Sequence, residues 1–264
     1  MRSIAEVSEN QKIRIVATSA SVADFKELSE WIGAPAENTF NLHPSVRANN
    51  FELIFNSQDQ SMRESRTQIM QKNLFQMVKH YNRNNIIITN SKKQAKFSAI
   101  DFVTLLESES NPKRFLKISE DQFRSLEKKI SDKFLLHVLG YGIGYLYQGM
   151  NTAEKEIVEK LFEIEGINII FVDEGLKWQL ENMKAFIVAV LDSQKWSCKK
   201  NRWVDYSVCE MIRFMGMSRL SEKDKQKGAE YSSSKFIILC EGAKKNFYKK
   251  FLFEPYPLES GLHL

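Results

Sequence analysis

The stretch Asn85–Phe102, NIIITNSKKQAKFSAIDF, decides the fold class. Asn85–Asn90 is an almost unbroken apolar, β-branched run, which is how a strand buried on both faces of a parallel sheet reads. Ser91 stands three residues before Gln94, the spacing of a capping box, in which the two side chains satisfy amides at a helix start. A strand running into a capped helix predicts a βα unit. The same pattern recurs outward. Ile13–Ala17, Phe51–Phe55, Ile167–Val172, Ala185–Leu191 and Lys235–Cys240 read as buried strands, with a short one near Gly144–Tyr147. Ser61 with Glu64 and Ser119 with Gln122 repeat the box, and Asn151 with Glu154 keeps its spacing with asparagine as the cap. After Ser61, Met70, Leu74, Met77, Val78 and Tyr81 share one helical face; after Asn151, Ile157, Val158, Leu161 and Phe162 do the same. Strand–helix alternation implies right-handed crossovers and an α/β fold, a mostly parallel sheet with helices on both faces.

Composition bounds the rest. In 264 residues, 43% are hydrophobic and 27% charged, which excludes a disordered or collagenous chain. Thirty-eight basic against 33 acidic residues leave a net charge of +5, compatible with nucleic acid and too small to argue for it. No apolar run approaches the ~20 residues that span a bilayer, and the N-terminal segment has no secretory signal. Three dispersed cysteines (Cys198, Cys209, Cys240) argue against a disulfide framework, so the expectation is a soluble protein of a reducing compartment. Gly33–Asn50, with two prolines and little periodicity, suits a linker, and Ser218–Ser234 reads as a polar, exposed loop.

A search for chemistry finds little. No glycine-rich phosphate cradle of the GxxxxGK[ST] type occurs, and Gly140, Gly142 and Gly144 fit a tight turn before a strand. His43, His80, His137 and His263 fall on different elements without ligand spacing, so no metal site is expected. Cys209 and Cys240 sit in apolar contexts as small hydrophobes, and Cys198 reads as a loop cysteine. Asp173–Glu174 follows a strand, where α/β proteins place functional groups, and serves equally as a helix cap. In Lys244–Phe251, Phe247 and Phe251 are expected to face the core and the lysines solvent.

Five strings carry a resemblance: RIVATSASVADFKELSEWIGA (Arg14–Ala34), FNLHPSVR (Phe40–Arg47), Asn85–Phe102, IGYLYQGMNTAEKEIVEKLF (Ile143–Phe162) and CEGAKKNFYKKFLFEPYPLESGLHL (Cys240–Leu264). Together they resemble the tandem-cassette DExH-box RNA helicases along almost the whole chain. The likeness is to the catalytically silent C-terminal cassette of the spliceosomal branch, with the activating-signal-cointegrator branch as the alternative. The resemblance implies that residues 1–40 close a first RecA-like domain and lead into a linker, and that 41–264 form the second. Ser19 and Ser21 then stand in the Ser-Ala-Thr motif. The phosphate-binding loop and DExH box are expected upstream of this chain. ATP and magnesium are therefore implied only for a complete cassette, with no cofactor in this chain.

The departures from the family pattern are specific. An active cassette carries Gln-x-x-Gly-Arg-x-Gly-Arg-Pro on the helix that meets ATP; here Glu210 replaces the Gln, and Phe214 and Met217 replace both arginines. Losing such an arginine typically costs ~10³–10⁵ in rate. Arg213 and Arg219 stand one and two residues away, turned by about 100° and 200° on a helix, and are the only candidates for residual nucleotide contacts. In the preceding motif, Asp173, Gln179 and Glu181 replace Thr, Gly and Asn, and the new carboxylates would repel RNA and triphosphate.

These readings imply a non-catalytic regulatory and protein-interaction platform in pre-mRNA splicing, in the nucleus. Its implied partners are the upstream RecA-like half, the N-terminal cassette and other spliceosomal proteins, with RNA weak or absent and no membrane. Two alternatives stand beside it. One is the second half of an active ATP-dependent RNA helicase, with Arg213 or Arg219 as its finger. The other is an RNA-binding module contacting backbone through Ser91, Lys92 and Gly149. The Met211–Met217 helix is unusually apolar for a nucleotide-facing one, and is expected to pack against the opposite RecA-like half or another protein as a fixed joint.

Overall fold

A computed structural model describes residues 15–47, 50–59, 63–176, 183–220 and 233–257. The chain divides into two compact units, Met1–Ala48 with Asn246–Leu264, and Asn49–Lys245.

The larger unit is built on a six-stranded parallel sheet: β1 (Phe51–Ser57), β2 (Asn85–Thr89), β3 (Ile143–Leu146), β4 (Ile169–Asp173), β5 (Ile187–Leu191) and β8 (Ser234–Cys240), in the order β1-β8-β5-β2-β4-β3. This is a RecA-like α/β arrangement. Every residue of β2, β3, β4 and β5 is buried, which is why these runs carry no alternation in sequence. Chain excursions α2 (Arg63–Val78) and α3 (Lys92–Glu107) carry the chain from β1 past β2 to β3, whereas α6 (Thr152–Glu163) and α7 (Val208–Gly216) belong to excursions running back across the sheet. Right-handed crossovers therefore put the two sets on opposite faces. The direction reverses between β2 and β5, so the topological switch point lies at their C-terminal ends.

Local signals explain the helix boundaries. Ser91 Oγ accepts the Gln94 N–H, while Gln94 Oε1 reaches back to the Asn90 N–H rather than to Ser91. Ser119 and Gln122 close a full capping box on α4 (Glu120–Glu127). The Asn151–Glu154 pairing does not close. Asn151 Oδ1 caps at Ala153, and the buried Glu154 instead accepts the N–H groups of Ser131 and Asp132 at 2.8 and 3.0 Å, securing the start of α5 (Lys133–Leu139). The Ser61–Glu64 box lies outside the described residues. Gly142 turns the chain into β3 with φ of 79°, and a Cβ there would stand 2.0 Å from the backbone of Phe115, so the glycine cluster is a turn with steric cause.

Among the described residues one further sheet occurs, without an obvious strand signal in the sequence. β6 (Gln194–Ser197) and β7 (Arg202–Asp205) form an antiparallel hairpin joined across Trp196 and Trp203, whose rings meet edge to face at 5.6 Å.

In the smaller unit, α1 (Phe25–Ile32) ends at Gly33 in the left-handed region, with the Gly33 and Ala34 amides bonded back to Glu30 and Ser29. Ile15–Ala17 form no strand: Ile15 and Val16 are exposed and pair with no neighbour among the described residues, and an unpaired strand has no independent stability. Tyr256 instead bonds with Ser21 and Ala23 as a short parallel bridge centred on Val22. Helix α8 (Gly242–Phe251) crosses the unit boundary. Tyr248 is its one buried residue, and Phe247 is 42% exposed, so the inward face lies one residue on from the expected one.

Candidate functional site

The C-terminal ends of parallel strands are where this architecture places ligands. At the switch point, Asn90 Nδ2 donates to the Gln194 carbonyl at 3.2 Å, tying the end of β2 to the turn after β5. Beneath it, Arg66 from the first turn of α2 is buried against three acceptors: Gln194 Oε1 at 3.4 Å, Glu241 at 3.6 Å and Asp192 at 3.9 Å. Asp192 is itself 1% exposed. Gln194 also donates to Asp205, which pairs with Lys244 at 2.7 Å. Burying charges is costly unless they are paired, so this network holds the end of the sheet closed around its own ions.

A second network joins it through Lys195 on β6. Its ammonium lies 2.6 Å from Glu210 and 3.2 Å from Glu174, and 5.3 Å above the Tyr206 ring. Burial alone would lower the Lys195 pKa, but the hydrogen bond to Glu210 and the charges of both glutamates outweigh it and raise the pKa. The Tyr206 phenol is pushed well above its ordinary value, first by burial and then by Glu174, Glu210, Asp192 and Asp173. Among the described residues, five carboxylates (Glu174, Asp192, Asp205, Glu210, Glu241) are thus paired with three cations (Arg66, Lys195, Lys244), and Asp173 adds a sixth negative charge near Tyr206. A triphosphate entering here meets net negative charge.

The residues singled out from sequence converge on this edge in part. Glu210 is not a decayed polar position: it closes a capping box with Ser207 at the start of α7 and receives Lys195. Phe214 and Met217 are 1% and 3% exposed, Phe214 lying edge-on to Tyr206 at 5.6 Å, with Met211 and Met215 buried beside them. They are therefore core residues of their own chain, and the fixed joint to another body is not formed by them. Arg213 is half-buried in the last turn of α7, and Arg219 is exposed, its Nε folded back onto the Gly216 carbonyl at 3.0 Å. Asp173 is buried and accepts the Gln148 N–H at 3.5 Å, beside Gly149, whose φ is 82°. Lys92 lies 4.1 Å over the ring of Tyr147, two residues before Gly149. Gln179 and Glu181 lie outside the described residues. Ser19 and Ser21 sit in the smaller unit, Ser21 Oγ donating to Asn41 Oδ1 at 3.0 Å.

Among the described residues no cluster of three or more metal-ligating side chains occurs, and no helix is long and apolar enough to cross a membrane. Cys240 is buried, as its context suggested, but Cys209 is exposed on the outer side of α7. Sequence reasoning missed Arg66, Asp192 and Lys195. For Lys195 a signal existed: Ser207 and Glu210 have capping-box spacing, which fixes where the Glu210 carboxylate stands.

Across 264 residues the chain is 31% identical to the U5 small nuclear ribonucleoprotein 200 kDa helicase of Drosophila melanogaster, a match covering 99% of this chain and 12% of that protein. The Homo sapiens protein of the same name is 33% identical over 252 residues, 95% of this chain and 11% of its own length. The chain is a homologue of DExH-box helicases. Activating signal cointegrator 1 complex subunit 3 of Gallus gallus is 30% identical over 255 residues, again covering 95% of this chain and 11% of that protein. No family model matches the chain. The homologous region spans about an eighth of the relatives' length.

Proposed function

We propose that this chain is a non-catalytic helicase segment, retained as a regulatory and protein-interaction platform in pre-mRNA splicing in the nucleus. The observation that carries the reading is the burial of Phe214 and Met217. Where the family pattern places arginines toward γ-phosphate, this chain places hydrocarbon that packs into its own core, and no nearby side chain can enter those positions without displacing it. The acidic surroundings of Lys195 support it, because removing positive charge and adding carboxylates both oppose transition-state charge on a phosphoryl group. The spliceosomal names of the relatives support the setting. Partners in this reading are proteins: the upstream RecA-like half, the active cassette and other spliceosomal components, with ATP and magnesium confined to a complete cassette.

The test is RNA-stimulated ATP hydrolysis by the purified chain and by the same chain joined to an active upstream RecA-like half. The reading expects background rates from both. Turnover above background in the joined protein overturns it.

A further inference from the structure

Helix α3 shows two faces. Ala95, Ser98, Ala99, Phe102, Val103 and Leu106 are buried toward the sheet. On the opposite side, Lys93, Phe97 and Ile100 follow one another at i, i+4 and i+7, forming a stripe along the helix. Phe97 is 54% exposed, and facing it across a depression of about 460 Å³ is Phe134, 63% exposed, from the first turn of α5. Two exposed phenylalanines over one concavity are more than scattered surface hydrophobicity.

The rim is basic. Lys92, Lys93 and Lys96 edge the groove. The carboxylate that pairs with this edge, Asp132, is already engaged: it accepts Lys96 at 2.9 Å and the Tyr145 hydroxyl at 2.7 Å, and caps α5 through Phe134 and Leu135 N–H. Burial alone would raise the Asp132 pKa, but the hydrogen bonds from Lys96, Tyr145 and Leu135 outweigh it and hold it below its ordinary value, so it stays charged and does not compete for the other two lysines. Lys92 lies over Tyr147 and Lys93 over Phe97, and among the described residues neither ammonium pairs with a carboxylate.

An apolar floor with unneutralised positive charge at one edge fits an amphipathic segment whose apolar side chains repeat at helical spacing and whose flanks are Asp and Glu. We propose that this groove docks an acidic, amphipathic helical segment of a protein partner. The proposal rests on the platform reading and gives that platform an address. A nucleic-acid occupant is less well served. The walls are Phe97, Ile100 and Phe134, which offer nothing to a phosphate or a base edge, and the polar groups are confined to the lysine edge.

The experiment is a selection from a displayed library of helix-length peptides of mixed charge on the full chain, followed by Kd measurements on two variants whose changes are all exposed: Phe97→Ser with Phe134→Ser, and Lys92→Glu with Lys93→Glu. The expected result is enrichment of net-acidic peptides with apolar residues at i, i+3/i+4 and i+7, each double variant weakening binding about tenfold or more. Peptides without net negative charge, or binding unchanged in the Phe97/Phe134 variant, overturn the proposal. A labelled oligouridylate is run beside them. If it binds, and only the lysine variant abolishes that binding, the groove edge is an RNA contact and the proposal falls. ATP turnover is measured separately, so a failed groove with silent hydrolysis removes only this inference, whereas turnover removes the platform reading itself.

Discussion

Replacing Phe214 by arginine restores the family residue at the first finger position, and the structure says what that costs. Phe214 is 1% exposed, meets Tyr206 edge to face at 5.6 Å, and lies on the same inward stripe as Met211 and Met215. Truncating a buried phenylalanine typically costs about 3–5 kcal/mol through lost transfer energy and the cavity left behind. Arginine refills part of that volume but brings a guanidinium, and an unpaired buried charge costs a comparable amount. Glu210, one helical turn earlier, is the nearest carboxylate on the helix, and it already holds Lys195 and the Ser207 amide. The expected loss is therefore at least about 3 kcal/mol, which in a domain of this size lowers Tm by about 6–12 °C. Thermal and urea unfolding of Phe214→Arg beside Cys209→Ser, an exposed change on the same helix, reads this directly. Surface substitutions of the control kind stay within about 0.5 kcal/mol. If Phe214→Arg unfolds with the control, its side chain has left the core toward solvent, and the argument that hydrocarbon has replaced the finger for structural reasons is refuted.

Lys195→Met keeps the length of the side chain and removes its charge, leaving Glu174 and Glu210 facing each other near Tyr206 without their shared cation. The variant should be less stable at neutral pH, and the deficit should shrink as pH falls through the carboxylate range, because protonating either glutamate relieves the repulsion; a deficit independent of pH in urea titrations would show that Lys195 acts by packing alone. For the cysteines, Cys198 and Cys209 are exposed while burial pushes the Cys240 thiol up to about 11. In mildly alkaline buffer a thiolate-directed alkylating reagent should label the first two in the native chain and Cys240 only after unfolding, and native labelling of Cys240 read by mass spectrometry would contradict its placement in β8.

The sheet was legible in sequence wherever a strand is buried on both faces. The β-branched runs of β2, β4 and β5 have no other physical use, and their starts and stops agree with the structure to within about two residues. Legibility failed where stability is supplied by a partner rather than by the segment. Ile13–Ala17 has strand composition, but its described residues find no ladder. The β6–β7 hairpin is half exposed, and is held by the Trp196–Trp203 contact and by a turn that puts Asn201 at φ of 46°, neither of which is a periodic signal. Glu154 has the spacing of a capping residue, yet two stronger donors at Ser131 and Asp132 were brought within reach by the fold. At α8 the error was a single position, about 100° of rotation, which exchanges Phe247 for Tyr248 on the inward face. The α7 residues are the most instructive. Met211, Phe214 and Met215 stand at i, i+3 and i+4, the ordinary spacing of a core stripe. Expecting them at a cleft came from the motif they replace, and the periodicity alone pointed inward.

The two kinds of change at this edge reinforce each other. Hydrocarbon at positions 214 and 217 removes the positive charge that would compensate a phosphate, so the carboxylates around it need another counterion. Lys195 supplies it for Glu174 and Glu210, as Arg66 does for Asp192 and Glu241. Those cations come from the hairpin and from α2. Each of these ion pairs is thus formed within the unit by its own side chains. An arginine reintroduced on α7 would have to enter the core, find Glu210 already held, and leave Lys195 with one acceptor fewer. Each of those steps is unfavourable on its own. On the proposed reading, phosphate chemistry at this edge would therefore require changes on α2, the hairpin and α7 together, whereas the outward face of α3, with its lysines and exposed phenylalanines, accepts substitution without touching any of them.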